Sequence, residues 1–138
     1  MDNASLNRQD KARILIVDAQ RSVAEAFGYY LEKNARFAVS IASDALEARR
    51  KINASGGFEL VLLDVTAPGL ERADAVKHLA GLNGSGSTVI ITDNPRTPHQ
   101  PPICTAGDAR LLYKSQPAAE IVDALSDVLK SKIGADLH

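Results

Sequence analysis

Residues 58–69 read FELVLLDVTAPG, an apolar run that ends abruptly on a carboxylate at Asp64. A short, continuously apolar run of this kind is typical of a strand that is buried on both faces of a parallel sheet. In open α/β sheets, ligands bind in the crevice outside the carboxyl ends of the strands. The stretch therefore predicts a buried strand that delivers Asp64 to a reactive edge.

Two other apolar runs end in the same way. Residues 14–17 are followed by Asp18, residues 89–91 are followed by Thr92, and residues 111–113 are followed by Lys114. Hard cations prefer oxygen ligands, and Mg²⁺ usually keeps several waters. Two acids, a hydroxyl and a cation at adjacent strand ends therefore predict a site for a divalent cation and a phosphoryl group.

Helical segments alternate with these strands, and a further short strand is predicted at residues 37–41. One predicted helix runs from a capping box at Ser22 to about Asn34, and the next runs from the cap Asp44 to a stop at residues 55–57. A third runs from Glu71 to Leu82, and the last has Pro117 in its first turn. Residues 83–87 are predicted to form a flexible connector. The alternation predicts a parallel sheet with helices on both faces.

Composition fits one ordinary domain. A chain of 138 residues is long enough for a single core, and a net charge of −1 gives no basic footprint for nucleic acid. No run approaches the roughly 20 apolar residues that cross a bilayer, and residues 1–10 have no signal-peptide core. The lone Cys104 excludes an internal disulfide. We expect a soluble, cytoplasmic protein.

The order and spacing of these elements resemble the receiver domain of bacterial two-component response regulators. The matching motifs are ILIVD at 14–18, LLDVTAPG at 62–69, VIIT at 89–92 and AGDARLLYK at 106–114. The resemblance implies a flavodoxin-like, doubly wound, five-stranded parallel sheet in the order 2-1-3-4-5. It also implies a receiver domain at residues 12–133, between a disordered tail at 1–11 and a short tail at 134–138.

The resemblance also implies roles for individual residues. Asp64 is then the phosphoacceptor, Thr92 the switch hydroxyl and Lys114 the cation that contacts the phosphate. Mg²⁺ would be held by Asp64, by the backbone carbonyl of Thr66 and through water on Asp18. A receiver domain is a signalling module rather than an enzyme, and its phosphodonor is a histidine kinase.

Several positions depart from the pattern of this family. Ala19 stands where receivers usually carry a second acid that touches the metal, so Mg²⁺ binding should be weak or absent. Asp93 occupies a usually small position that controls access to the phosphoryl group, and its negative charge opposes phosphorylation. Alternatively, Asp93 turns outward as a cap or replaces the lost acid as a distant ligand. Leu111 stands where the switch aromatic usually lies.

Prolines also occupy the place of the family's fourth helix. The segment 94–102 contains four of them, and proline opposes a regular helix. The family's face for phosphorylation-dependent rearrangement and partner binding is thus rebuilt, around a degenerate fourth helix.

These departures favour an atypical receiver whose phosphorylation at Asp64 is impaired or absent and which acts through protein–protein interaction. The alternative is a working phosphoacceptor, phosphorylated by a histidine kinase, from a longer DNA-binding regulator. The expected partners are a histidine kinase or another signalling protein, and a second copy of the chain, but neither a membrane nor nucleic acid. A phosphatase with an aspartyl nucleophile is disfavoured, because Thr66 stands where it needs a second acid.

Overall fold

The computed structural model describes residues 11–34, 37–92 and 110–136. Its strands are β1 (Ala12–Val17), β2 (Phe37–Ala42), β3 (Leu60–Asp64), β4 (Ser87–Thr92) and β5 (Arg110–Tyr113). Its helices are α1 (Arg21–Asn34), α2 (Ala45–Ser55), α3 (Ala73–Leu82) and α4 (Ala118–Asp136). All strand pairs are parallel, in the order β2-β1-β3-β4-β5. This confirms the predicted fold class.

The sheet separates two hydrophobic clusters. Successive side chains of a strand point to opposite faces, so Ile14 and Ile16 join the cluster beneath α1 and α4, whereas Leu15 and Val17 join the cluster beneath α2 and α3. Every residue of β3 is buried. The central position of β3 explains its uninterrupted apolar sequence, and it leaves Asp64 at the end of the most protected strand.

The ends of α2 follow the sequence prediction. Oδ1 of Asp44 accepts a hydrogen bond of 2.8 Å from the backbone N–H of Glu47, and this caps the helix. Gly56 ends the helix with a φ of 79°, which disfavours residues with a side chain, and its N–H donates to the carbonyl of Ile52. Local chemistry therefore fixes this helix between β2 and β3.

Two other helices begin elsewhere than predicted. α1 already begins at Arg21, so Ser22 lies in its first turn and not at the predicted capping position. α3 begins at Ala73, whereas its start is predicted at Glu71. The side chain of Glu71 instead accepts a hydrogen bond of 2.8 Å from the backbone N–H of Gly69, in the turn that follows β3.

The segment that joins α3 to β4 forms a hydrogen-bonded turn at residues 83–86, and the connector predicted at 83–87 overlaps the first residue of β4. Asn83 is 5% exposed. Its Nδ2 donates to the carbonyl of Phe58 at 2.9 Å, and its Oδ1 accepts from the N–H of Phe58 at 2.8 Å. Gly86 passes so close that a Cβ there would lie 2.1 Å from the Phe58 carbonyl oxygen. We call the Asn83–Phe58 pair the amide clasp.

Some predicted features lie outside the described residues. They are residues 1–10 of the N-terminal tail predicted at 1–11, Asp93, and the proline-rich segment 94–102. At the other end of the chain, α4 continues to Asp136, into the segment that the sequence predicts as a C-terminal tail.

Candidate functional site

The carboxyl ends of the parallel strands bring the predicted site residues to one edge of the sheet. Val17 pairs with Leu63, so the next residues, Asp18 and Asp64, lie at the same level. Asp64 in turn pairs with the residue before Thr92, which places Thr92 one position farther along the edge. A shift of one residue in either pairing would move one of these side chains to the opposite face of the sheet.

Lys114, just after β5, joins the two acids. Its Nζ donates to Oδ2 of Asp18 at 2.7 Å and to Oδ2 of Asp64 at 2.5 Å. The side chains are 16% exposed for Lys114, 4% for Asp18 and 2% for Asp64. We call these three residues the acid–lysine cluster. The sequence places a cation on the same rim as the acids, and the structure brings all three into contact.

The remaining oxygens of both acids also have donors. Oδ1 of Asp18 accepts from the backbone N–H of Gln20 at 2.9 Å. Oδ1 of Asp64 accepts from the backbone N–H of Thr66 at 2.9 Å and from its hydroxyl at 2.7 Å. Each carboxylate is therefore held in a fixed orientation from both sides.

Sequence reasoning assigned Thr66 only a backbone carbonyl and missed the contact of its hydroxyl. The available signal was the spacing Asp-x-Thr directly after a strand. Asp side chains often bind the backbone two residues on, and a Thr at that position adds a hydroxyl near the same oxygen. The exposed Thr66 thus belongs to the surroundings of Asp64.

The cluster keeps Lys114 charged. Burial by itself lowers the pKa of its amine, but the hydrogen bonds to Asp18 and Asp64, together with their negative charges, outweigh burial and raise the pKa above the ordinary value of 10.5. Lys114 is an ammonium at neutral pH. Two carboxyl groups face this one ammonium, so the cluster has room in its charge balance for another cation.

The oxygen donors of the acid–lysine cluster and of Thr66 are of the kind that Mg²⁺ prefers. Carboxylate and carbonyl oxygens are its usual protein ligands, and Asp18, Asp64 and Thr66 can supply them. The exposed Ala19 adds none. Within the described segments, no three side chains of His, Cys, Asp or Glu gather as a metal site. The residues present therefore fit Mg²⁺ in the kind of oxygen donor they offer, and Lys114 contacts the same two carboxylates.

One side of the cluster borders a mainly apolar cavity of about 100 Å³. Val23 and Phe27 of α1 and Ile121 of α4 line it, together with Asp18 and Lys114. Val23 lies at the outer side of this cavity, since its side chain is 43% exposed. Hydrocarbon on this side limits hydration of the cluster and strengthens its internal electrostatic contacts.

Thr92 and Leu111 occupy different parts of the structure. Thr92 ends β4 half-buried, and its carbonyl accepts a hydrogen bond of 2.9 Å from the backbone N–H of Lys114, which ties the two strand ends together. Leu111 packs against the cluster beneath α2 and α3. Leu111, predicted to stand at the position of the switch aromatic, is thus an aliphatic packing residue.

The order of these elements is that of a known family. The family model described as response regulator receiver domain matches residues 14–126 of the chain. The chain belongs to this family. No curated protein matches it significantly. The receiver domain fold accounts for both the sheet order and the position of the acid–lysine cluster.

Solved receiver structures agree with this assignment. A two-component response regulator of the LuxR family from Aurantimonas is 28% identical, with a TM-score of 0.76 over 88% of this chain and 87% of that chain. A CheY-like receiver domain protein from Methanospirillum hungatei is 21% identical, with a TM-score of 0.77 over 91% and 99%. The N-terminal domain of a response regulator/sensory box/GGDEF protein from Carboxydothermus hydrogenoformans is 20% identical, again with a TM-score of 0.77. The last two show likeness of fold alone.

This chain is therefore a receiver domain of a two-component response regulator. Receiver domains are signalling modules that interact with histidine kinases and other signalling proteins, and they bind Mg²⁺ at the phosphorylation site. In the described segments, no helix combines the length and the apolar character needed to traverse a bilayer.

Proposed function

We propose that this receiver domain is atypical, with phosphorylation of Asp64 impaired or absent, and that it acts through protein–protein interaction. The state of the Asp64 carboxylate carries the proposal. Lys114 engages its Oδ2, and Thr66 engages its Oδ1 twice. A carboxylate that accepts several hydrogen bonds is a weaker nucleophile, because the donors stabilise its negative charge and their bonds weaken as an oxygen bonds to phosphorus.

The missing second acid adds to this effect. Where a metal ligand's outer partner is lost, affinity typically falls by about 10- to 100-fold, so the loss of a direct carboxylate ligand at Ala19 should cost at least about as much. When bound, Mg²⁺ supplies positive charge that offsets the charge of the phosphoryl group. Here Lys114 supplies the resident positive charge, and it already bridges Asp18 and Asp64.

The second candidate is a working phosphoacceptor, and it is favoured by the common location of Asp64, Thr92 and Lys114. In this reaction, an oxygen of Asp64 forms a bond to the phosphorus of a kinase phosphohistidine as the phosphorus–nitrogen bond breaks, and the leaving imidazole takes up a proton. Lys114 and Thr92 then bind the new phosphoryl oxygens and shift a conformational equilibrium.

In either case, the partner is a histidine kinase or another signalling protein, and a second copy of the chain is a further partner. The domain itself is not an enzyme, acts in the cytoplasm, and binds neither membrane nor nucleic acid directly. The near-neutral charge of the chain supports the last point, since binding to nucleic acid depends mainly on a basic surface.

The test is a series of amide NMR spectra with Mg²⁺, then with Mg²⁺ and beryllofluoride, a phosphoryl mimic. We expect no saturable shifts at Thr92 and Lys114. Saturable shifts that disappear in Asp64→Asn would overturn the proposal in favour of the working phosphoacceptor. Ala19→Asp is the positive control, because a response in that variant alone would prove that the conditions can detect a competent site.

A further inference from the structure

The side chain of Thr66 contacts Asp64, although the only role predicted for Thr66 is that of its backbone carbonyl. Its hydroxyl donates to Oδ1 of Asp64 at 2.7 Å, beside the 2.9 Å bond from its own N–H. Asp64 is 2% exposed, whereas Thr66 is an exposed residue. A surface side chain is therefore bonded to a buried carboxylate that has no other side-chain donor on this oxygen among the described residues.

The three donors to Asp64 differ in how readily they can leave. Lys114 is also bonded to the buried Asp18, and its charge would be lost from the site if it moved away. The N–H of Thr66 is fixed by the backbone turn after β3. The hydroxyl needs only a rotation about χ1 between staggered positions, and water is available to it on the outside.

We propose that Thr66 is a positioning residue whose hydroxyl occupies Oδ1 of Asp64 and thereby slows phosphorylation. A hydroxyl–carboxylate bond is charge-assisted and stabilises the resting carboxylate. When Oδ1 attacks acetyl phosphate, the new oxygen–phosphorus bond forms, the phosphorus–oxygen bond to the acetyl group breaks, and acetate leaves. The hydroxyl has to release Oδ1 before this step. The inference rests on the proposed function, since it supplies one cause of impaired phosphorylation.

The experiment compares Thr66→Val, which keeps the shape and removes the hydroxyl, with Thr66→Ser, which restores it. Each full-length chain is incubated with acetyl phosphate and Mg²⁺, and phosphorylated protein is followed by intact-mass spectrometry. Because a net hydrogen bond is modest in strength, we expect the valine variant to react about three- to tenfold faster than the wild type and the serine variant to match the wild type. Asp64→Asn gives the background rate.

Equal rates for the valine and serine variants, within about twofold, would overturn the role of the hydroxyl. Urea unfolding of both variants excludes a change in stability as the cause of any difference, and Thr66→Ala replaces the valine variant if that chain does not fold. The valine and serine variants are also compared in an Ala19→Asp background, where phosphorylation is expected to be easier to detect.

The two proposals fail in different ways. Rapid phosphorylation of the wild type would overturn impaired phosphorylation, and the ratio of valine to serine rates would still test Thr66. If the wild type reacts slowly and the valine and serine variants react at equal rates, impaired phosphorylation is supported, but the Thr66 hydroxyl is not a cause of it.

Discussion

The two ends of β3 each adjoin buried polar groups, but they are built on opposite principles. Near its start, the amide clasp joins the neutral side chain of Asn83 to the backbone of Phe58 through two hydrogen bonds. At its end, Asp64 belongs to the charged acid–lysine cluster. Among the described residues, the buried polar side chains are Asp18, Asp64 and Asn83, so these two ends hold all of them.

The difference indicates that the amide clasp has a structural role and the acid–lysine cluster a functional one. In the amide clasp, the donor and the acceptor of one side chain match the acceptor and the donor of one residue, and no charge is involved. These two hydrogen bonds are a sufficient reason for a buried amide at this position. The acid–lysine cluster has two carboxyl groups for one ammonium, and buried charges cost much desolvation energy even when they are paired. An arrangement that is costly and unbalanced in charge is typical of a functional site.

The largest effect should come from Lys114→Met, which keeps the length of the side chain and removes its charge. Removal of one partner from a buried ion pair typically costs about 3–5 kcal/mol, because the remaining charges are left unpaired. We expect the free energy of unfolding in urea to fall by about 3 kcal/mol at neutral pH. A variant as stable as the wild type would show that the two acids do not depend on this lysine.

Lys51→Met is the matched control. Lys51 donates to the carbonyl of Ile41 at 2.6 Å and lies 3.7 Å from Glu47, but its side chain is 37% exposed. Exposed pairs contribute little, so this variant should lose no more than about 1 kcal/mol.

Disruption of the amide clasp should weaken the fold and leave the site intact. Asn83→Ala strips the buried N–H and carbonyl of Phe58 of their side-chain partner, and an unsatisfied buried group costs about 1–3 kcal/mol. We expect a loss of about 2 kcal/mol in urea unfolding, with Mg²⁺ affinity unchanged. Ser85→Ala in the same turn is the control. A change in Mg²⁺ affinity for Asn83→Ala would contradict the separation of the two ends.

Ala19→Asp should sharpen the contrast by completing the metal site. A third carboxylate at this edge is expected to raise Mg²⁺ affinity by at least about tenfold, as measured by calorimetric titration. Ala19→Asn provides a side chain of similar size without the charge. If neither variant binds more tightly, the pocket is closed for a reason other than the missing acid.

The smallest expected effect is a change, at alkaline pH, in the stability that Lys114 contributes to the fold. Because the folded cluster raises the pKa of Lys114 above 10.5, its contribution to stability is complete below that pH and is lost as the pH rises through the folded pKa. The stability difference between the wild type and Lys114→Met should therefore shrink above pH 10.5, by less than about 1.4 kcal/mol per pH unit. A stability difference that stays constant to higher pH would mean that folding does not change the pKa of the Lys114 amine.

Much of the fold and the site could be predicted because their signals are local. The apolar run that ends at Asp64 predicts a buried strand and its reactive end, and the residues at Asp44 and Gly56 mark the limits of α2. The same applies to Asp18, since parallel strands that follow one hydrophobic pattern end at one edge. In each case, a few neighbouring residues are sufficient because backbone geometry and burial act over short distances.

The amide clasp could not be predicted in this way. The glycine- and serine-rich residues 83–87 have the composition of a connector without specific contacts, and only the approach of Phe58, 25 positions from Asn83, provides the hydrogen-bond partner. A polar side chain gives no sign in the sequence of which distant backbone groups it will satisfy.

The sequence by itself thus determined the elements, the parallel sheet and the identity of the residues at its edge, because hydrophobic periodicity and turn chemistry are written locally. Only the tertiary structure decided that Lys114 bridges both acids, that the Thr66 hydroxyl binds Asp64, and that Asn83 holds Phe58. The reason is physical. A hydrogen bond or an ion pair forms only when its two atoms are placed to within a few tenths of an ångström, and this placement exists only once the core has positioned the strand ends.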